Sequence, residues 1–280
     1  WRAHFTRAAR QALQWRLLLL WLLALGLPTL LGILPLWVTL AGVLDHAPLA
    51  TRLVEGFSLP LLVDTLGVMR TRGYSPASAL GAGLVFVLLL PWISGVALTA
   101  ARSRTPLRIG ALLAGGLADY ARMARLWLWA LVPLGIAAGI GGGAMHLAKE
   151  HAQGMTLEAD ADHLMQAALA LGGLLFLLAH ASLDAARAQL VAEPQRRSVV
   201  LAWWRAVKGL WRQPGRIALY LLITAAGLLL AAALGVLRLQ VAPVGGLSFA
   251  AALLAGQAVV AALGWMRCAR LFAMVNTAQR

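Results

Sequence analysis

Three residues at the end of one apolar run have the types and spacing for proton or ligand chemistry. His180, Asp184 and Arg187 lie in "AHASLDAAR" (179–187), at i, i+4 and i+7, on one face of a helix. His180 is the one histidine inside an apolar run, and an ionisable group in such a run is a candidate for function. A hydrogen bond to Asp184 or to a neighbouring helix would satisfy it. Haem ligation is not expected, because no second histidine inside an apolar run supplies the opposite axial ligand. Asp184–Arg187 has a counterpart in Asp119–Arg122 of "ADYAR". Both are i, i+3 pairs, expected to fix helix ends near a surface at tenths of a kcal/mol, roughly, rather than to carry chemistry.

A second cluster occupies 146–163, "HLAKEHAQGMTLEADADH". His146, Glu150, His151, Glu158, Asp160, Asp162 and His163 are ligand types for a divalent cation. Their spacing matches no zinc motif, and a solvated loop needs such residues simply to stay in water. No metal is expected there. The third candidate is the basic stretch "PQRRSVVLAWWRAVKGLWRQPGR" (194–216). Arg205, Lys208 and Arg212 line up against Trp203, Val207 and Leu210, the pattern of a helix lying in a membrane interface. Trp203, Trp204 and Trp211 would anchor in the headgroup region while the cations meet anionic lipid. A protein partner is the second expectation for this surface. No phosphate-binding loop, nucleophile elbow or dinucleotide fingerprint occurs, so no cofactor is implied.

The elements that must position these residues are apolar. The chain has 280 residues, 61% hydrophobic and only 12% charged, against about 25% charged in a soluble domain. Six runs without Lys, Arg, Asp or Glu are long enough to cross a bilayer: 17–44, 79–101, 126–145, 164–183, 217–237 and 247–266. The first is too long for a signal-peptide core and no cleavage site follows it. The formal net charge of +14 would suggest nucleic acid in a soluble protein, but its distribution excludes that. Nineteen of the 24 Lys and Arg fall in 1–16, 102–125, 187–216 and 267–280, whereas seven of the ten acids fall in 45–78 and 146–163. The positive-inside rule then places both termini in the cytoplasm with six crossings. The expected fold is all-α: one polytopic transmembrane domain over 1–280. The single cysteine, Cys268, is read as a small packing residue.

Three runs end in a small-residue-plus-arginine tag: "LTAAR" (98–102), "LDAAR" (183–187) and "MRCAR" (266–270). Arg102 and Arg187 are 85 residues apart, Arg187 and Arg270 83. An arginine there meets the negative end of the helix dipole and reaches lipid phosphate, and small residues admit close helix neighbours. A segment with interfacial character precedes each odd-numbered helix. In the first, Arg7, Arg10, Gln11 and Gln14 oppose Phe5, Ala9 and Ala12; the middle one, 107–122, is weakened by glycines. The chain therefore reads as three helix hairpins, each preceded by an interfacial segment. The connection 45–78 is expected to hold a short interfacial helix ended by Gly73 and Pro76, and "VAPVGG" (241–246) a tight turn. Pro28, Pro35, Pro91, Pro133 and "GIGGG" (139–143) imply kinks or frayed ends.

At "ADYARMARLWLWALVPLG" (118–135) and "DAARAQLVAEPQRRSVVLAWWRAVKGLWRQPGR" (184–216), the chain resembles uncharacterised bacterial inner-membrane proteins. These have six helices and a cytoplasmic Asp-x-Ala-Arg tag before a basic amphipathic segment. The resemblance implies a compartment, the bacterial inner membrane, and no reaction. Mitochondrial carriers also have three two-helix repeats, but their Pro-x-acid-x-x-base signature is missing from the odd helices. The expectation is a non-catalytic accessory or scaffold subunit binding anionic lipid and a protein partner. The alternatives are a transport component, such as a permease half served by a separate ATPase, and then a membrane-bound enzyme. A permease needs a polar path, and the residues for one are few: Thr29, Thr39, Ser94, Thr224 and Gln257.

Overall fold

The computed structural model describes residues 2–44, 63, 67–68, 71, 77–103, 105–153, 158–193, 195, 198–242 and 245–278. Among them are nine helices and no strand. We number them α1 (Arg2–Ala12), α2 (Trp15–Leu44), α3 (Ala77–Arg102), α4 (Ile109–Ala118), α5 (Tyr120–Ala152), α6 (Glu158–Ala192), α7 (Val199–Arg212), α8 (Pro214–Leu239) and α9 (Gly246–Ala278). Six of these, α2, α3, α5, α6, α8 and α9, are long and apolar enough to cross a membrane. The chain is a multi-pass, all-α membrane protein. The short helices α1, α4 and α7 precede α2, α5 and α8, so each of the three hairpins follows a short helix.

The spanning helices outrun their apolar stretches. α5 continues through His146–His151, and α6 already contains Asp160, Asp162 and His163. The segment expected as a loop at 146–163 is thus largely helical. Lys149 and His151 sit in the last turn of α5, where cations suit the helix dipole, and carboxylates suit the first turns of α6. α9 likewise runs on to Ala278, beyond the end expected at 266. Pro28, Pro35, Pro91 and Pro133 lie inside unbroken helices, and α5 stays helical through 139–143. The short helix expected within 45–78 lies outside the described residues.

The chain forms two compact units, Trp21–Leu90 and the remainder, Trp1–Leu20 with Pro91–Arg280. In the smaller unit α2 and α3 meet where a Cβ at Gly32 would stand 3.3 Å from the Ala82 Cβ. In the larger unit α5 pairs with α6 and α8 with α9; α7 lies on α6 and α5, α1 on α9, and α6 also touches α8 and α9.

Burial in the larger unit is concentrated at the basic helix ends. The stretch Met266–Val275 of α9 is buried at every position except Arg267. Ala181–Arg187 of α6 is buried throughout, as are Leu219, Tyr220 and Ile223 of α8. The opposite ends leave their leucines open: Leu229 is 71% exposed, Leu247 89% and Leu254 69%. Such an apolar surface is untenable in water and natural in hydrocarbon. Small residues set the close contacts of the packed end. A Cβ on Gly95 of α3 would stand 2.8 Å from the Gly116 carbonyl oxygen of α4. Gly115 and Gly116, two of the glycines that weaken 107–122 as an amphipathic pattern, let α4 lie against α3, since a Cβ on Gly116 would stand 2.7 Å from Val96 Cγ2. Cys268 of α9 is fully buried.

Candidate functional site

The tag arginines converge on two buried carboxylates. Asp119, at the junction of α4 and α5, is 2% exposed. Its Oδ2 accepts from Arg102 Nη1 at 2.6 Å and its Oδ1 from Arg122. Arg102 Nη2 also reaches the Leu190 carbonyl oxygen on α6 at 3.5 Å. Asp184 of α6 is 3% exposed. Arg187 of the same helix donates to its Oδ1, the Tyr220 hydroxyl of α8 donates to its Oδ2 at 3.2 Å, and Arg270 Nε of α9 stands 3.8 Å from Oδ2. The Arg270 guanidinium lies over the Tyr220 ring at 5.0 Å.

These contacts correct the expectation of solvated local pairs worth tenths of a kcal/mol. Each aspartate is withdrawn from water and joins different helices, so the loss of one partner would strand a buried charge. Sequence spacing does not pair Arg102, Tyr220 or Arg270 with the aspartates, because each reaches its carboxylate from another helix. The available signal was the recurrence of an arginine at the end of three apolar runs, which marks the layer without naming the acid each arginine meets.

His180 does not bond Asp184. Its Nδ1 pairs with the Phe176 carbonyl oxygen at 3.1 Å, and its ring packs on Phe176 with centroids 4.4 Å apart. A backbone carbonyl one turn back is nearer than the carboxylate one turn ahead, which is already bonded by Arg187 and Tyr220. In the 146–163 segment, His146 Nε2 stands 3.4 Å from Glu150 Oε1 and His151 Nδ1 pairs with the Leu147 carbonyl oxygen at 2.9 Å. No group of three His, Cys, Asp or Glu side chains converges among the described residues. The mid-span hydroxyls turn inward on their own helices: Thr29 donates to Leu25 O, Thr39 to Pro35 O and Thr224 to Tyr220 O, each at 2.8 Å.

The basic helix α7 starts at Ser198, whose Oγ accepts from Leu201 N, satisfying one of the free N–H groups of the first turn. Val199, Ala202, Ala206 and Leu210 are buried, an i, i+3, i+7, i+11 row. Trp203 also turns inward. Its Nε1 donates to Ser182 Oγ at 2.9 Å, and its ring meets Trp129 edge-on at 5.6 Å. The expectation that Trp203 anchors in headgroups is therefore corrected: it anchors α7 to α6 and α5.

The outward face of α7 holds the rest. Trp204 is 50% and Trp211 82% exposed. With Val200 they form one stripe, beside which run Lys208, Arg212 and Arg205, all exposed. Lys208 Nζ lies 5.4 Å from the Trp204 ring centre, and Arg205 reaches Glu193 only at 3.8 Å. Five of the six expected residues thus share a free outward surface of indoles and cations. No family model, curated protein or solved structure matches this chain.

Proposed function

We propose that this is a non-catalytic subunit of the bacterial inner membrane, with both termini cytoplasmic, that holds anionic lipid and a protein partner on α7. The observation that carries this reading is the outward face of α7. Trp204 and Trp211 are left exposed beside Arg205, Lys208 and Arg212, while the opposite row is seated in the core. A solvated helix has no need of two large exposed indoles. An interfacial helix needs both, indoles at the headgroup level and cations toward lipid phosphate, with about 1 kcal/mol per cation near an anionic surface.

The rest of the molecule supports a scaffold. Its charged layer consists of internal ties between helices. Thr29, Thr39 and Thr224 are bonded within their own helices, which argues against a continuous polar path and so against the permease reading. Cytoplasmic termini follow from the division of basic residues. The test is gentle detergent extraction from the native membrane followed by intact-complex mass spectrometry. The expected spectrum shows the chain with bound anionic phospholipid and a second polypeptide. A chain that travels alone, stripped of both, would contradict the reading.

A further inference from the structure

The Asp184 cluster holds more positive charge than its one carboxylate balances. Arg187 and Arg270 both face Asp184. Arg187 takes Oδ1, and Tyr220 donates to Oδ2. Arg270 is left with a distant approach: its Nε is 3.8 Å from Oδ2, outside hydrogen-bond range, and its guanidinium lies over the face of Tyr220. Arg270 is 8% exposed, and its Nε, like that of Arg187, is buried with no acceptor. No acceptor within hydrogen-bond distance serves Arg270 among the described residues.

A guanidinium has five N–H donors in a planar fork and cannot lose its charge in a protein. Taken from water with no acceptor, it is among the costliest groups to bury. Charges so placed are paired or bind a counter-ion, and a planar fork matches the oxygens of a phosphate. The side chains of Arg187 and Arg270 are not sealed, keeping 11% and 10% of their surface open. The cluster also lies at the basic helix ends, the level at which phosphates lie if the charge distribution is read as above.

We infer that Arg270, with Arg187, forms a second anion site, taking a phosphate oxyanion that completes the Asp184 cluster. It is separate from the outward face of α7. The same chemistry is offered by a phospholipid headgroup and by free phosphate, and the two are distinguished by experiment.

Full-length chain, delipidated in neutral detergent, would be titrated with phosphatidylglycerol micelles or with inorganic phosphate, each against chloride at matched ionic strength. Thermal unfolding and retained phosphorus per chain are read. A rise in Tm with phosphatidylglycerol alone identifies a lipid headgroup; a rise with inorganic phosphate as well identifies the free ion. Arg270→Gln should weaken the apparent affinity at least tenfold, and Arg270→Lys, which keeps charge but loses the fork, should fall between. The α7 variant Arg205→Gln/Lys208→Gln/Arg212→Gln should keep this tight response, which separates failure here from failure of the α7 reading. If Arg270→Gln does not fold, the lysine variant and the wild-type titrations decide. The inference is overturned if wild type responds to neither probe, if the folded Arg270 variants respond as wild type does, or if only the α7 variant loses the response.

Discussion

Asn276 Nδ2 donates to Gln11 Oε1 at 2.9 Å, joining the last turns of α9 and α1 across almost the whole chain. Trp265 Nε1 adds a bond to the Ala9 carbonyl oxygen at 3.0 Å. The helix α1 and the last turns of α9 therefore pack together, the arrangement expected of an even number of crossings between them.

That geometry predicts a labelling pattern. Cysteines introduced at Arg7 and Arg212 should react with an impermeant maleimide from one face of sealed vesicles, and one at Asp160 from the other. Native Cys268 is fully buried, so it should react only after denaturation and needs no removal. Reaction of positions 7 and 160 from the same face would contradict the topology.

Asp119 should behave as a buried tie rather than a surface charge. Asp119→Asn removes the buried carboxylate charge that Arg102 and Arg122 share. Breaking a buried pair costs about 3–5 kcal/mol, so unfolding in detergent should begin at clearly lower temperature. Arg102→Gln should cost less, because the Arg102 side chain keeps 29% exposure. An Asn variant as stable as the parent would return the pair to the status of a surface ornament.

Two glycines in apolar helices should respond in opposite ways. Gly95→Ala puts a methyl 2.8 Å from the Gly116 carbonyl oxygen, a backbone atom that cannot rotate away. Overpacking of this kind costs about 1–3 kcal/mol. Gly139→Ala meets nothing within 4 Å, and should be neutral or gain up to about 1 kcal/mol from helix propensity. Equal effects in thermal unfolding would show that α3 and α4 do not approach this closely.

The architecture was legible because periodicity and charge act locally. Six apolar runs, three preceding segments and the basic ends could each be marked from neighbouring residues. The helix ends moved because an apolar run marks where hydrocarbon stops, whereas a helix continues as long as its backbone bonds do: α5 carries His146–His151 past that limit. The site was only partly legible. Asp184 and Arg187 are three residues apart, but Tyr220 and Arg270 reach Asp184 from α8 and α9 through packing. Helical spacing sets Trp203 opposite the cations, but it could not name its partner, since the Ser182 hydroxyl that receives Trp203 belongs to another helix.

That division of the tryptophans is open to test. Trp203→Ala removes the bond to Ser182 and the contact with Trp129. It should lower stability by about 3 kcal/mol, as large-to-small core changes do. Trp211→Ala, at a residue 82% exposed, should leave Tm unchanged and reduce binding to anionic vesicles. The reverse assignment of effects would mean that the inward and outward faces of α7 are exchanged.

The central claim is that the outward face of α7 binds, and one comparison addresses it most directly. Wild type and the Arg205→Gln/Lys208→Gln/Arg212→Gln variant would be extracted identically and measured by intact-complex mass spectrometry, with thermal unfolding alongside. Exposed charges contribute little to stability, so the two should unfold at the same temperature. The variant should lose the second polypeptide and most of the loosely held anionic lipid. An unchanged complement of lipid and partner on a folded variant would contradict the account and leave α7 as a basic topology signal alone.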